Sequence, residues 1–117
     1  MLKLLEARLK LNEMVKDWKF WSKRIGDAAK SILGQCEVYV FGSVVKGLNV
    51  GSSDVDILIV SDNIPERCKE RGNLKAHIEE EAGLPLYHPF EIHLATSREA
   101  KENPIYRSAT TEGIKVC

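Results

Sequence analysis

The chain has 117 residues, 44% hydrophobic and 29% charged, a size and composition that suit one globular domain over residues 1–117 with a core of its own. Basic and acidic residues balance at 17 each, so no overall field draws nucleic acid or an anionic membrane surface, and strong general nucleic-acid binding is not expected. No apolar run approaches the roughly 20 residues of a membrane span, which argues against a membrane protein.

The first third reads as helix. Leu5, Leu9, Val15, Trp18, Trp21, Ile25, Ala28, Ala29 and Ile32 recur at three- and four-residue steps with charged residues between them, and Gly34 ends the pattern. Asn12 offers a restart point, so one long helix and two consecutive helices both fit. Leu2, Leu5 and Leu9 stand apart from the rest. We read that end as packing on its own domain, with an oligomer contact as the alternative.

Glu37 to Phe41 is β-branched and aromatic, a short strand stopped by Gly42. Ser43 to Gly47 has room for one helical turn, and Leu48 to Ser53 reads as a loop. Asp54 to Val60 is the strongest strand pattern in the chain. Pro65 suits the first turn of a helix capped by Asp62 or Asn63, running to about Glu81 with Cys68, Leu74 and Ile78 on its apolar side. Phe90 to Thr96 alternates apolar and polar residues as a third strand, Ser97 caps a short helix through Glu102, and residues 113–116 form a last edge strand. The order implies an α+β fold, a mixed sheet with helices packed on one face and a long N-terminal helix.

Residues Met1 to Lys10 mix charges with leucines, unlike a secretory leader, so a cytoplasmic setting is expected. Cys36, Cys68 and Cys117, odd in number and widely spaced, then read as reduced thiols. His77, His88 and His93 lack the spacing of a helical metal pair.

The chemistry concentrates on Asp54 and Asp56. Two apart on a strand, they leave the same face, and a divalent cation removes the cost of holding both ionised. Taken alone, the pair is better explained by Asp54 capping the loop and Asp56 as a solvated edge residue. The preceding segment adds more. A strand ends in Gly42-Ser43, where a glycine lets backbone amides approach an anion, Ser43 adds a hydroxyl donor, and Lys46 and Gly47 complete a phosphate-binding turn. Glu91, early on the third strand, supplies a third carboxylate if that strand pairs beside Asp54 to Val60. His93 shares its face one pleat further on and reads as a polar group at a cleft rim. Leu58 and Val60 share the face of the aspartates and need cover.

Phe41 to Gly47, followed by Ser53-Asp54-Val55-Asp56 and the apolar run to Val60, resembles the signature of the minimal nucleotidyltransferases of the DNA polymerase β-like superfamily. Ten residues separate Ser43 from Asp54, as in that family. The resemblance implies that Gly42, Ser43, Lys46, Gly47 and Ser53 hold a nucleoside triphosphate, with ATP favoured. It implies that Asp54, Asp56 and Glu91 are catalytic and hold two Mg²⁺ ions, with Mn²⁺ as an alternative. The chain departs from the family at Glu91, where an aspartate is common, and at Val44, where many members carry arginine. The implied reaction is transfer of a nucleoside monophosphate, AMP by preference, to an acceptor hydroxyl with release of pyrophosphate. Similar proteins pair with a small helical partner of the HEPN type and act as its antitoxin, so the resemblance also implies an acceptor on a partner protein. A homo-oligomer is a further possibility. Two rivals remain open on sequence alone: a non-catalytic module that neutralises or scaffolds a partner by binding, and a metal-dependent phosphohydrolase.

Overall fold

The computed structural model describes residues 2–47 and 54–117. The amphipathic first third forms two helices, α1 (Leu2–Lys16) and α2 (Trp18–Leu33), with the break at Asp17 and not at Asn12. Asp17 makes no side-chain capping bond, so its side chain gives the break no local signature. Of α1, Met14 and Val15 reach the core, while residues 3–10 are exposed. The reading that this end packs on its own domain is therefore overturned: Leu4, Leu5 and Leu9 present apolar side chains to solvent. Along α2, Ile25, Ala28, Ala29 and Leu33 are buried at the expected spacing.

Strands β1 (Glu37–Phe41), β2 (Val55–Val60), β3 (Phe90–Ala95) and β4 (Ile114–Lys115) form one mixed sheet in the order β3-β2-β1-β4. β1 runs antiparallel to β2 and β4, and β2 runs parallel to β3. A parallel neighbour requires a crossover, which α3 (Cys68–Glu81) provides. The expected start of that helix near Pro65 is too early. Asp62 accepts a hydrogen bond from the Ser97 amide and the Asn63 side chain donates to the Leu33 carbonyl, so neither is free to cap. Cys68 is exposed, and Ile78 and Leu74 carry the contact instead.

Strand alternation sorts the side chains onto two faces. Val38, Val40, Val55, Ile57, Ile59, Phe90 and Ile92 pack under α2 and α3, as the one-sided helical layer predicts. Several of these are fully inaccessible, and each fully buried Ile or Val contributes about 1.5–3 kcal/mol of apolar transfer. The other face holds a smaller cluster, Leu58, Val60 and Ala95 with Ala100 and Ala109. Its cover comes from α4 (Ser97–Glu102) and α5 (Pro104–Glu112), which adds to the expected single layer. Thr96 caps α4 in a reciprocal capping box with Glu99. Asn103 caps α5 through its side chain and Pro104 takes the first helical position, so the proline read as following α4 in fact starts another helix. No described helix is long and apolar enough to cross a membrane.

Candidate functional site

The second sheet face carries the polar residues. Asp56 pairs with Phe41 on one side and Glu91 on the other, and Leu58 pairs with His93. Glu91 therefore stands beside Asp56 across a parallel pair, as its place on the third strand suggested. Asp56, Glu91 and His93 each bring one potential ligand atom within 4.8 Å of the others. His93 Nε2 lies 3.5 Å from Asp56 Oδ1 and 4.0 Å from Glu91 Oε1. The first contact sits at the limit of hydrogen bonding, and Nε2 is buried with no other partner among the described residues.

Burial raises the pKa of Asp56, and the nearby Glu91 and Asp54 charges push in the same direction, while His93 pulls it back down. Such a carboxylate gains from a cation. The Asp56, Glu91 and His93 atoms also suit one chemically, as oxygen and nitrogen donors with an orphaned buried nitrogen among them. Asp54 is exposed just ahead of β2 and stands outside that cluster, although its charge is felt by Asp56.

The turn after β1 closes on the same place. Gly42 has φ +88°, a left-handed conformation, and a Cβ there would collide with the Asp56 carboxylate. Glycine is thus required twice over, by backbone conformation and by proximity. Ser43 is half-buried in the turn that follows, the Gly47 amide donates to the Val44 carbonyl at 3.4 Å, and Gly47 has φ +71°. Val44 is buried in the main core cluster, so its side chain anchors the turn by packing. Lys46 is exposed and, with Gly42, lines a cleft of about 660 Å³ whose far wall is Ile105, Ser108 and Glu112 of α5. The structure thus brings Gly42, Ser43, Lys46 and Gly47 onto one turn beside Asp56. Ser53, expected to join them, lies outside the described residues.

His93 is the residue that sequence reasoning left out of the site. Its ring is flanked by Phe41 and Tyr106, with centroids 5.5 and 5.7 Å away, and Nδ1 is 3.5 Å from the Tyr106 hydroxyl. The available signal was the two-residue step from Glu91, which fixes the same face. His88 serves structure: it pairs with Glu79 at 2.5 Å and accepts from the Phe90 amide at 3.1 Å, pinning the entry to β3. Tyr39 donates to Glu37 at 2.6 Å, and with burial leading the effect its pKa is pushed up to about 12.

A four-stranded mixed sheet, a glycine-serine turn at the end of β1 and an acidic cluster on β2 and β3 define the nucleotidyltransferase class of fold. The nucleotidyltransferase domain family matches residues 22–116, and the chain belongs to that family, whose chemistry is nucleotidyl transfer. A crystal structure of a candidate nucleotidyltransferase is 32% identical to it with a TM-score of 0.56, covering 72% of this chain and 87% of that one. A second, from Sulfolobus solfataricus at 1.40 Å resolution, is 17% identical with a TM-score of 0.53, over 95% of this chain and 83% of that one, and shares the fold. No curated protein matches the chain.

Proposed function

We propose that the chain transfers a nucleoside monophosphate, AMP from ATP by preference, to an acceptor hydroxyl. The observation that carries this reading is the closeness of Gly42 to Asp56, with Glu91 as the neighbour of Asp56 across the sheet. A phosphate-binding turn and a set of cation-binding carboxylates then address one ligand, a metal-bound triphosphate. Gly42 and Ser43 offer an amide and a hydroxyl to the phosphates, and the exposed Lys46 brings a mobile positive charge. Ser53 is proposed as a further donor. Asp54, Asp56 and Glu91 would hold Mg²⁺ or Mn²⁺, which neutralises phosphate charge and lowers the cost of forming the acceptor oxyanion. The cleft between the turn and α5 would accept the rest of the nucleotide, because Gly42 and Lys46 line it. Phe41 and the α5 residues make its walls largely apolar, which favours a stacked or half-covered base.

The proposed acceptor is a partner protein. Leu4, Leu5 and Leu9 support it, since a helix end that leaves three leucines in solvent is better suited to a protein contact than to isolation. A helical partner of the HEPN type, with this chain as its antitoxin, is the reading the family resemblance favours. The same leucines are compatible with a non-catalytic module that neutralises its partner by binding.

Calorimetric titration of Mg²⁺-ATP into wild type and Asp56→Asn, followed by transfer of α-phosphate label, tests the proposal. Binding that needs both Mg²⁺ and Asp56, with pyrophosphate as the product, is expected. Release of inorganic phosphate would mean a phosphohydrolase instead. Failure to bind any of the four common triphosphates would leave the binding-module reading in place.

A further inference from the structure

The acidic site contains a group that phosphate transfer by carboxylates alone does not use. His93 sits on β3 two residues from Glu91 and directly across from Leu58, so β-pleating aims its ring at Asp56 and Glu91. A histidine present only for packing normally directs its ring nitrogens to hydrogen-bond partners. Here Nε2 is buried with no well-formed hydrogen bond among the described residues, and oxygens of two acids lie 3.5 and 4.0 Å from it.

The spacings are informative. Ligand atoms that each lie about 2.1 Å from a shared ion stand roughly 3 to 4 Å from one another. Nε2 stands 3.5 Å from Asp56 Oδ1 and 4.0 Å from Glu91 Oε1, and all three ligand atoms fall within 4.8 Å. The ring is also held in place. Phe41 and Tyr106 flank it, and the Tyr106 hydroxyl 3.5 Å from Nδ1 can accept from an Nδ1–H, the tautomer that leaves the Nε2 lone pair directed at the acids.

We propose that His93 Nε2 is itself a metal ligand, completing with Asp56 and Glu91 a mixed nitrogen–oxygen site that takes a first-row transition dication in preference to Mg²⁺. The chemistry follows from the donor set. Mg²⁺ favours oxygen ligands, whereas imidazole nitrogen favours cobalt and zinc over magnesium. Replacing one carboxylate or water by imidazole therefore raises affinity for Co²⁺ and Zn²⁺ more than for Mg²⁺.

The inference rests on the transfer reading and deepens it, because it concerns which cation that same site takes, yet it is tested without nucleotide. Co²⁺ and Mg²⁺ are titrated separately into the metal-free wild type, His93→Gln and His93→Ala, with thermal melts confirming that each variant is folded. Wild type is expected to bind Co²⁺ at least tenfold more tightly than Mg²⁺. Both variants are expected to lose tenfold or more in Co²⁺ affinity while Mg²⁺ affinity changes less than threefold. In parallel, ¹⁵N spectra of the wild-type imidazoles with and without Zn²⁺ require no variant, and the Nε2 resonance of His93 is expected to move far more than Nδ1. Co²⁺ affinity within twofold of wild type in a folded variant, or an Nε2 resonance unmoved by Zn²⁺, would overturn the proposal. A protein that binds Co²⁺ through His93 but transfers no nucleotide would refute the transfer reading and leave this one standing.

Discussion

The buried and half-buried residues on the two faces of the sheet come from the same three strands, β1, β2 and β3, and differ in what they do. Odd-numbered residues of β2, Val55, Ile57 and Ile59, are fully buried under α2 and α3. Even-numbered residues begin with Asp56 at the open end and become apolar at Leu58 and Val60, where α4 and α5 supply cover. The proposed chemistry is thus confined to one end of one face, and the opposite face stabilises the strand that carries Asp56. A rigid strand holds a carboxylate in place more accurately than a loop can.

Adjacent residues give the sharpest test of that division. Asp56→Asn is expected to reduce nucleotidyl transfer about 10³-fold or more, on the order of 4 kcal/mol in the barrier. It should not destabilise the metal-free fold. Burial and like charges raise the Asp56 pKa, so the folded state binds its proton more readily than the unfolded chain. Charged Asp56 therefore costs stability as pH rises above its unfolded value, and the neutral amide removes that cost. Ile57→Ala should do the reverse. Its side chain is fully buried, and truncation is expected to cost about 2–5 kcal/mol of unfolding free energy with the site chemistry unchanged in whatever fraction remains folded. Denaturant melts and initial rates on both variants decide the matter. A similar loss of stability in both would erase the distinction between the faces.

Gly42→Ala sits between these extremes, because it offends both backbone and site. The left-handed φ opposes any side chain, and the new Cβ meets the Asp56 carboxylate. We expect a stability loss of about 1–2 kcal/mol together with a loss of triphosphate affinity and rate of about 10²-fold. The check is calorimetry beside a thermal melt. Loss of stability with nucleotide binding intact would detach the glycine turn from the site.

How much of this was legible in the sequence depends on how local each cause is. The strands could be read because β-branched alternation is written into consecutive residues, and the face shared by Asp56 and Glu91 follows from that period once β2 and β3 are neighbours. Asp17 breaks the helix without a capping bond, so no residue type marks the break. The start of α3 moved because Asp62 and Asn63 are engaged by residues 35 and 30 positions away, contacts that only the fold creates. Pro104 carried the α5 signal, with Asn103 as its cap, but it also fits the end of α4, and proline alone does not choose between them. His93 was visible on the right face, while its flanking rings and orphaned nitrogen arise only from tertiary packing.

The smallest effect concerns the connection between the two layers. Arg71 of α3 donates to the Pro65 and Leu94 carbonyls and meets Glu99 of α4 at 2.7 and 3.2 Å, reaching past the edge strand β3 from one face to the other. Arg71, with help from the Thr96 amide, holds the Glu99 pKa down to about 2, below its ordinary 4.5. A depressed carboxylate contributes stability above its unfolded pKa and loses it as pH falls, here between about 4.5 and 2. Glu99→Gln retains an acceptor for the Thr96 amide and removes the ion pair. Because Glu99 is 43% exposed, solvent screens the pair, and the expected loss near neutral pH is about 0.5–1 kcal/mol. Melts of both proteins from pH 7 to pH 2 should converge as the acid limit is reached. If Glu99→Gln also slowed transfer, α4 would be positioning the Tyr106 and His93 side of the site, and the boundary between the two faces would lie beyond β3.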